Sequence, residues 1–298
     1  MNTPVPYLGE ILSLATALIW AGGVILFKKS GEKTAPIALN LFKNSLAFVL
    51  LIPTMLLLGT PLFLDLSLTT YLIVLLSGAI GIGIADSLFF ASLNRIGAGR
   101  MAVVEALYSP FVIFLSFLFL GERLNLLQTS GAGLIVLAVL IATVEKQSDT
   151  LERRSLLFGI FWGTFSNFLM AVGLILVKQI LEQQPLLWVI EWRLAGGIAV
   201  LLIVLLFHPE RKRILNTLRL QGGRRYTLIG SFFGAYVVLI TWLGGMKYTT
   251  ASAASALNQT STIFTFLLAG LFLRESLGSR RWLAILMAVS GALLVTFG

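Results

Sequence analysis

Residues 9–30, GEILSLATALIWAGGVILFKKS, and residues 159–180, GIFWGTFSNFLMAVGLILVKQI, are one pattern written twice. Set 150 positions apart, Gly9 meets Gly159, Gly23 meets Gly173, Lys28 meets Lys178 and, further on, Lys43 meets Arg193. At a shift of 153, Glu105 meets Asn258, Phe111 meets Phe264 and Glu122 meets Glu275. Each copy, 1–147 and 152–298, holds five long apolar segments, and five is odd. A second copy that begins where an odd number of spans ended enters the membrane from the opposite side. The pattern therefore predicts two inverted copies related by an axis in the membrane plane.

Composition fixes the solvent. Of 298 residues 57% are hydrophobic and 12% charged, too few charges to cover a water-soluble surface. A helix crosses about 30 Å of hydrocarbon with roughly 20 apolar residues. Ten such segments are predicted, at about 8–27, 36–58, 70–93, 101–120, 126–144, 156–177, 185–207, 226–246, 250–273 and 281–297. Runs such as LLIVLLF and FVIFLSFLFL are apolar throughout, whereas barrel strands would alternate. The fold class expected is an all-α membrane protein. Residues 1–10 lack Lys, Arg and a small-residue cleavage site, so the first span is expected to be retained rather than removed as a signal peptide.

The basic residues lie mostly between spans. Seventeen of them, including Lys28, Lys29, Lys33, Arg95, Arg100, Arg153, Arg154, Arg211, Arg213, Arg224, Arg225 and Arg280, follow odd-numbered spans; only Arg123, Lys178 and Lys247 follow even ones. The positive-inside rule then predicts odd loops in the cytoplasm and both termini outside, in a multi-pass protein of the cytoplasmic membrane. The net charge of +9 is thus spent on orientation and anionic headgroups, and no nucleic-acid partner is expected. Cysteine is absent and the single histidine, His208, sits at a span end, so no metal or other cofactor is expected. Gly159-x-x-x-Gly163 and Gly230-x-x-x-Gly234 place small residues one turn apart, as packed membrane helices require.

Four recurring motifs make the chain resemble the EamA-like branch of the drug/metabolite transporter superfamily over essentially its whole length. They are the tryptophan-bearing first span with Trp20; the base inside the next span, Lys43 in NLFKNS and Arg193 in IEWRLAGG; the small-residue entries GAGRMAVVEALYSP and TTASAASALNQTS; and the acids in FLFLGERL and GLFLRESL. The resemblance implies a ten-helix basket around a cavity lined by helices one, three, four, six, eight and nine. It also implies movement of small metabolites, such as amino acids, nucleosides or amphipathic drugs, without ATP. Two departures set the copies apart: Arg274-Glu275 replaces the usual Gly-Glu, and Ile263 stands where copy one has Pro110. In many members both termini are thought to be cytoplasmic, against the loop charges here.

Charge at membrane depth costs about 2.5–3.5 kcal/mol per residue on insertion scales, so each retained charge asks for a reason, a site role or, for Lys43 and Arg193, snorkelling to an interface or pairing with helix-end carbonyls. Lys43, Asp86, Glu105, Glu191 and Arg193 qualify, two bases against three acids. Glu105 shares a helix face with Tyr108 and Ser109, and Pro110 would free the carbonyl of Ala106 nearby. Its counterpart Asn258 is followed by Gln259, Thr260, Ser261 and Thr262, too polar a run for lipid. The substrate-binding set expected is Trp20, Lys43, Asp86, Glu105, Tyr108, Ser109, Asn167, Arg193, Tyr236, Trp242, Asn258, Gln259 and Ser261, with Glu105 and Asp86 as proton-coupling groups. Pairing of Glu105 with Arg95 or Arg100 is the plainer alternative. Glu122 and Glu275 are expected to pin the fourth helix of each copy.

The function expected is secondary active transport of a small organic solute by alternating access, with protons as candidate coupling ion. A passive channel or lipid scramblase on the same scaffold is the alternative. No G-x-x-x-x-G-K-[ST] loop occurs, and no nucleophile, base and metal set converges, so an enzyme is not expected. The duplication makes a monomer sufficient and leaves a homodimer open.

Overall fold

Backbone amides in lipid must pair within their own segment, which a helix allows a single apolar run to do. In the computed structural model, which describes residues 6–121, 125–143, 153–219, 223–274 and 278–297, every regular element is helical. The long helices are α1 (Leu8–Gly31), α2 (Pro36–Leu57), α3 (Leu68–Ile96), α4 (Ala98–Phe119), α5 (Leu126–Thr143), α6 (Arg153–Gln183), α7 (Leu186–Phe207), α8 (Arg224–Tyr248), α9 (Ala251–Leu273) and α10 (Ser279–Phe297). Eight of them, α1–α4 and α6–α9, are long and apolar enough to cross a membrane. The chain is a multi-pass membrane protein. Local sequence sets the starts: Pro36 opens α2 where no amide partner is needed. Ser67 Oγ accepts from the Thr70 amide at 3.2 Å, and Thr250 Oγ1 from that of Ala253 at 3.2 Å. A short helix, Arg211–Asn216, lies within the basic stretch after α7, where a plain loop was expected.

Packing runs chiefly between the copies. Helix α1 lies against α8 and α9, and α6 against α3 and α4; α2 packs on α7, α4 on α9 and α5 on α10. Exchanging the helices of one copy for those of the other turns each contact into another of the same set. Glycines permit the closest of these approaches. A Cβ at Gly173 would meet Gly81 Cα at 3.0 Å, and one at Gly23 would meet Gly234 Cα at 3.0 Å. Gly159 faces Ile96, Gly163 faces Ser92 and Met101, and Gly230 faces Leu26 and Phe27, so both small-residue motifs are consumed inside the chain.

Two irregularities repeat in register. Helices α3 and α8 each contain a π-helical segment, Ala79–Ala85 and Phe232–Val237, widened where Gly81 and Gly234 meet their partners. Helices α4 and α9 each slip to shorter i→i−3 bonds midway. The Ala106 amide reaches Val103 O at 3.2 Å and Leu107 reaches Val104 O at 3.1 Å; Gln259 reaches Ala256 O and Thr260 reaches Leu257 O, both at 3.1 Å. Helix α9 makes the same slip with Ile263 where α4 has Pro110, so the slip does not require a proline.

A correction concerns the matched lysines. Lys28 Nζ donates to Leu93 O and Asn94 O at 3.1 and 2.9 Å, while Lys178 Nζ donates to Met246 O and, at 3.1 Å, to Thr249 O. Leu93 and Met246 are themselves counterparts. Each lysine thus sits in its helix and satisfies the carbonyls that end the third helix of a copy, where the helix dipole favours a cation. Lys247 does the same for α6 through Leu181 O and Gln184 O, both at 2.6 Å. Helices α1 and α6 consequently run past the lysines that were expected to end them. With these three removed from the loop tally, the basic residues still follow odd helices. Glu122 and Glu275 lie outside the described residues.

Candidate functional site

A cavity opens where the two copies meet. Its walls draw on one apolar cluster around Leu51, Leu174, Trp188 and Leu243 and on another around Phe27, Phe89 and Phe90. The π segments supply Gly81, Ile82, Gly234 and Ala235 to its lining, so the widened turns face the open space. Helices α1, α3, α4, α6, α8 and α9 all contribute, as the resemblance implied. Helices α2 and α7 add the bases Lys43 and Arg193.

The structure brings together Trp20, Lys43, Asp86, Glu105, Tyr108, Asn167, Arg193, Trp242, Asn258, Gln259 and Ser261. It leaves out two others. Ser109 is buried at a helix contact, its Oγ 3.3 Å from Ser255 Oγ, and the Tyr236 hydroxyl bonds Thr54 Oγ1 at 2.7 Å. Sequence reasoning missed Thr16, Met170, Val238 and Leu239, and the π-segment residues. Apolar side chains in apolar helices carry no periodic mark of facing a cavity rather than lipid.

Lys43 Nζ lies 2.6 Å from Asp86 Oδ2, with the two side chains 5% and 13% exposed. A ladder of amides steers this pair. Lys43 Nζ donates to Asn44 Oδ1 at 3.0 Å, and Asn44 Nδ2 donates to Asn40 Oδ1 at 2.7 Å. Asn40 Nδ2 in turn donates to Ile82 O at 2.9 Å and Gly83 O at 3.2 Å, satisfying carbonyls of the π segment. Asn40 and Asn44 were not singled out in the sequence, although their i, i+4 spacing inside an apolar helix is a visible signal.

Glu105 Oε1 accepts from Trp20 Nε1 at 2.5 Å, and no ion pair of the described residues includes Glu105. The indole, rather than Arg95 or Arg100, is its partner. Arg193 is 1% exposed; its Nη1 donates to Gly173 O at 3.3 Å and its guanidinium lies 5.7 Å from the Trp242 ring. Its Nε has no partner among the described residues. The same holds for the acceptors Asn167 Oδ1, Asn258 Oδ1 and Gln259 Oε1. Asn167 is held by its Nδ2, which donates to Val104 O at 3.0 Å where α4 begins to slip. The cavity lining thus includes a guanidinium with a donor to spare and three side-chain carbonyl oxygens without partners among the described residues.

The repeat explains why Arg193 keeps that donor. At the 153-residue shift Asp86 corresponds to Leu239, so the base of copy two lacks the carboxylate that neutralises Lys43. Trp20 corresponds to Met170 and Glu105 to Asn258, and all four line the cavity. The two halves offer matched backbones and unmatched chemistry. The fifth charge, Glu191, is absent from this lining. It faces a separate recess, so the cavity holds two acids and two bases and the surplus carboxylate lies elsewhere. Among the described residues no group of three His, Cys, Asp or Glu side chains could hold a metal ion.

A model of the EamA-like transporter family matches this chain twice, over residues 7–144 and 157–297. The chain belongs to the EamA-like transporter family. Among curated relatives, an uncharacterized transporter of Archaeoglobus fulgidus is 23% identical over 291 residues, covering 96% of each chain. Protein PecM of Dickeya dadantii is 26% identical over 223 residues, covering 73% of this chain and 71% of its own. A crystal structure of a protein 17% identical superposes with a TM-score of 0.74 over 97% of this chain and 96% of the other, a likeness of fold alone. The two EamA matches end and begin on either side of the stretch that joins α5 to α6, and the cavity draws on both.

Proposed function

We propose that this EamA-like transporter is a secondary carrier for a small organic solute, moved across the cytoplasmic membrane by alternating access. Two inverted five-helix copies rock about the central cavity, with odd-numbered loops in the cytoplasm and both termini outside. The observation that carries the reading is the set of unpaired polar atoms in the cavity lining. Arg193 offers an unpaired donor to an anionic group, while Asn167, Asn258 and Gln259 offer oxygens to an ammonium or hydroxyl. Buried polar atoms left without partners cost about 1–3 kcal/mol each, and a bound solute that supplies the missing partners recovers that cost. The solute fitted by these atoms carries a carboxylate or similar anion together with hydrogen-bond donors.

Glu105 serves as the proton-coupling group. It reaches the cavity, and among the described residues its carboxylate accepts from the neutral Trp20 indole and joins no ion pair, so gain or loss of a proton need not break one. Asp86, locked to Lys43, is the weaker candidate.

Purified protein screened by thermal shift against amino acids, nucleosides, sugars and amines tests the reading, because a ligand of the folded state raises its stability in proportion to occupancy. The expected hit is anionic or zwitterionic, is lost in Asn258→Ala, and in Glu105→Gln either is lost or becomes independent of pH. Stabilisation by neutral solutes alone, undiminished in both variants, contradicts the assignment.

A further inference from the structure

Glu191 lies two residues from Arg193 on another face of α7, and it is the membrane-depth charge that the solute cavity does not use. It lines a second recess with Phe48 and Ile52 of α2, Phe63 of the loop that follows, and Trp192. Glu191 is 5% exposed, and neither carboxylate oxygen has a hydrogen-bond partner among the described residues. No ion pair of those residues includes it.

The wall opposite is fixed in place. Trp192 Nε1 donates to Leu62 O at 3.1 Å, and the Tyr71 hydroxyl donates to Leu64 O at 2.7 Å while accepting from the Leu64 amide at 2.9 Å. These bonds fold the loop after α2 back over α7. Phe63 then meets Trp192 edge-on at 5.6 Å, and Tyr71 packs edge-on against the same indole at 4.6 Å. The recess faces outward: Phe63 is 74% exposed and Phe48 and Ile52 are half-buried.

A carboxylate and aromatic faces are the two groups that hold an ammonium, one by charge and the other by the ring quadrupole. A single carboxylate among hydrocarbon does not supply the oxygens that a bare divalent ion needs, and it repels anions. The remaining lining is aliphatic or aromatic, which suits an alkyl chain arriving from lipid. We propose that this recess binds an amphiphilic alkylammonium cation, with its head group against Glu191 and its chain toward the bilayer, separately from the solute cavity.

The test uses the full-length protein in nanodiscs of phosphatidylglycerol, which carries no competing choline or ethanolamine, with radiolabelled dodecyltrimethylammonium as probe and empty nanodiscs as blank. Saturable binding is expected, at least tenfold weaker in Glu191→Gln, severalfold weaker in Phe63→Ala, and unchanged in Glu105→Gln. Absence of saturable binding overturns the proposal, as does wild-type affinity in Glu191→Gln. Loss in Glu105→Gln with retention in Glu191→Gln also overturns it and moves the probe to the central cavity. Should Glu191→Gln fail to fold, unchanged affinity in Phe63→Ala, altered at an exposed loop position, overturns it alone.

Discussion

Lys43 and Asp86 stabilise each other only as a pair. Removing one partner of a buried ion pair leaves an uncompensated charge and costs about 3–5 kcal/mol, whereas removing both can be nearly neutral. Lys43→Met and Asp86→Asn should each lower the thermal midpoint of the purified protein markedly, and the double variant should recover much of the loss. Equal, additive losses would mean that the two side chains act independently. The charges themselves were legible in the sequence, since an ionisable residue inside an apolar run stands out. What each one does was not. Glu105 could have met an arginine at the surface, and its indole partner comes from α1, 85 residues away. The carbonyls that Lys28 and Lys178 satisfy leave no trace in a side-chain pattern, so both read as loop charges, although Lys178 also pairs with Glu182 one turn on at 2.7 Å.

Helix contacts at this scale are set by glycine. A Cβ at Gly78 would lie 1.8 Å from Arg193 O, and one at Gly196 would lie 2.1 Å from Leu75 O, so α3 and α7 touch backbone to backbone. Gly78→Ala and Gly196→Ala must therefore push the helices apart, at a cost of about 1–3 kcal/mol or more. That shift also displaces Arg193 from the cavity wall. Gly22→Ala meets nothing within 4 Å and should be neutral or slightly stabilising by helix propensity. Melting midpoints of the three variants check this; equal tolerance would contradict the close approach. The span positions were legible from hydropathy to within a few residues, except where a lysine concealed the helix end. The π segments and the breaks in α4 and α9 were not, because they arise from contacts between copies that no local pattern encodes.

At the scale of the whole molecule, duplication and odd span number made the inverted architecture the expected one, and packing follows the same exchange of copies. The cavity chemistry breaks that exchange at Trp20/Met170, Asp86/Leu239 and Glu105/Asn258. Orientation rests on loop charge. A reporter fused after Gly298 that is active only in the cytoplasm should give no signal, and a positive signal would reverse the sidedness. The central claim is alternation around one cavity, and the absence of native cysteine lets a single introduced thiol report on it. Ser261 lines the cavity and is 4% exposed. In uniformly oriented liposomes, the thiol of Ser261→Cys should react with a small membrane-impermeant reagent added to either face while the vesicles hold a proton gradient. Reaction from one face only, or from both faces with collapse of the gradient, would contradict the account.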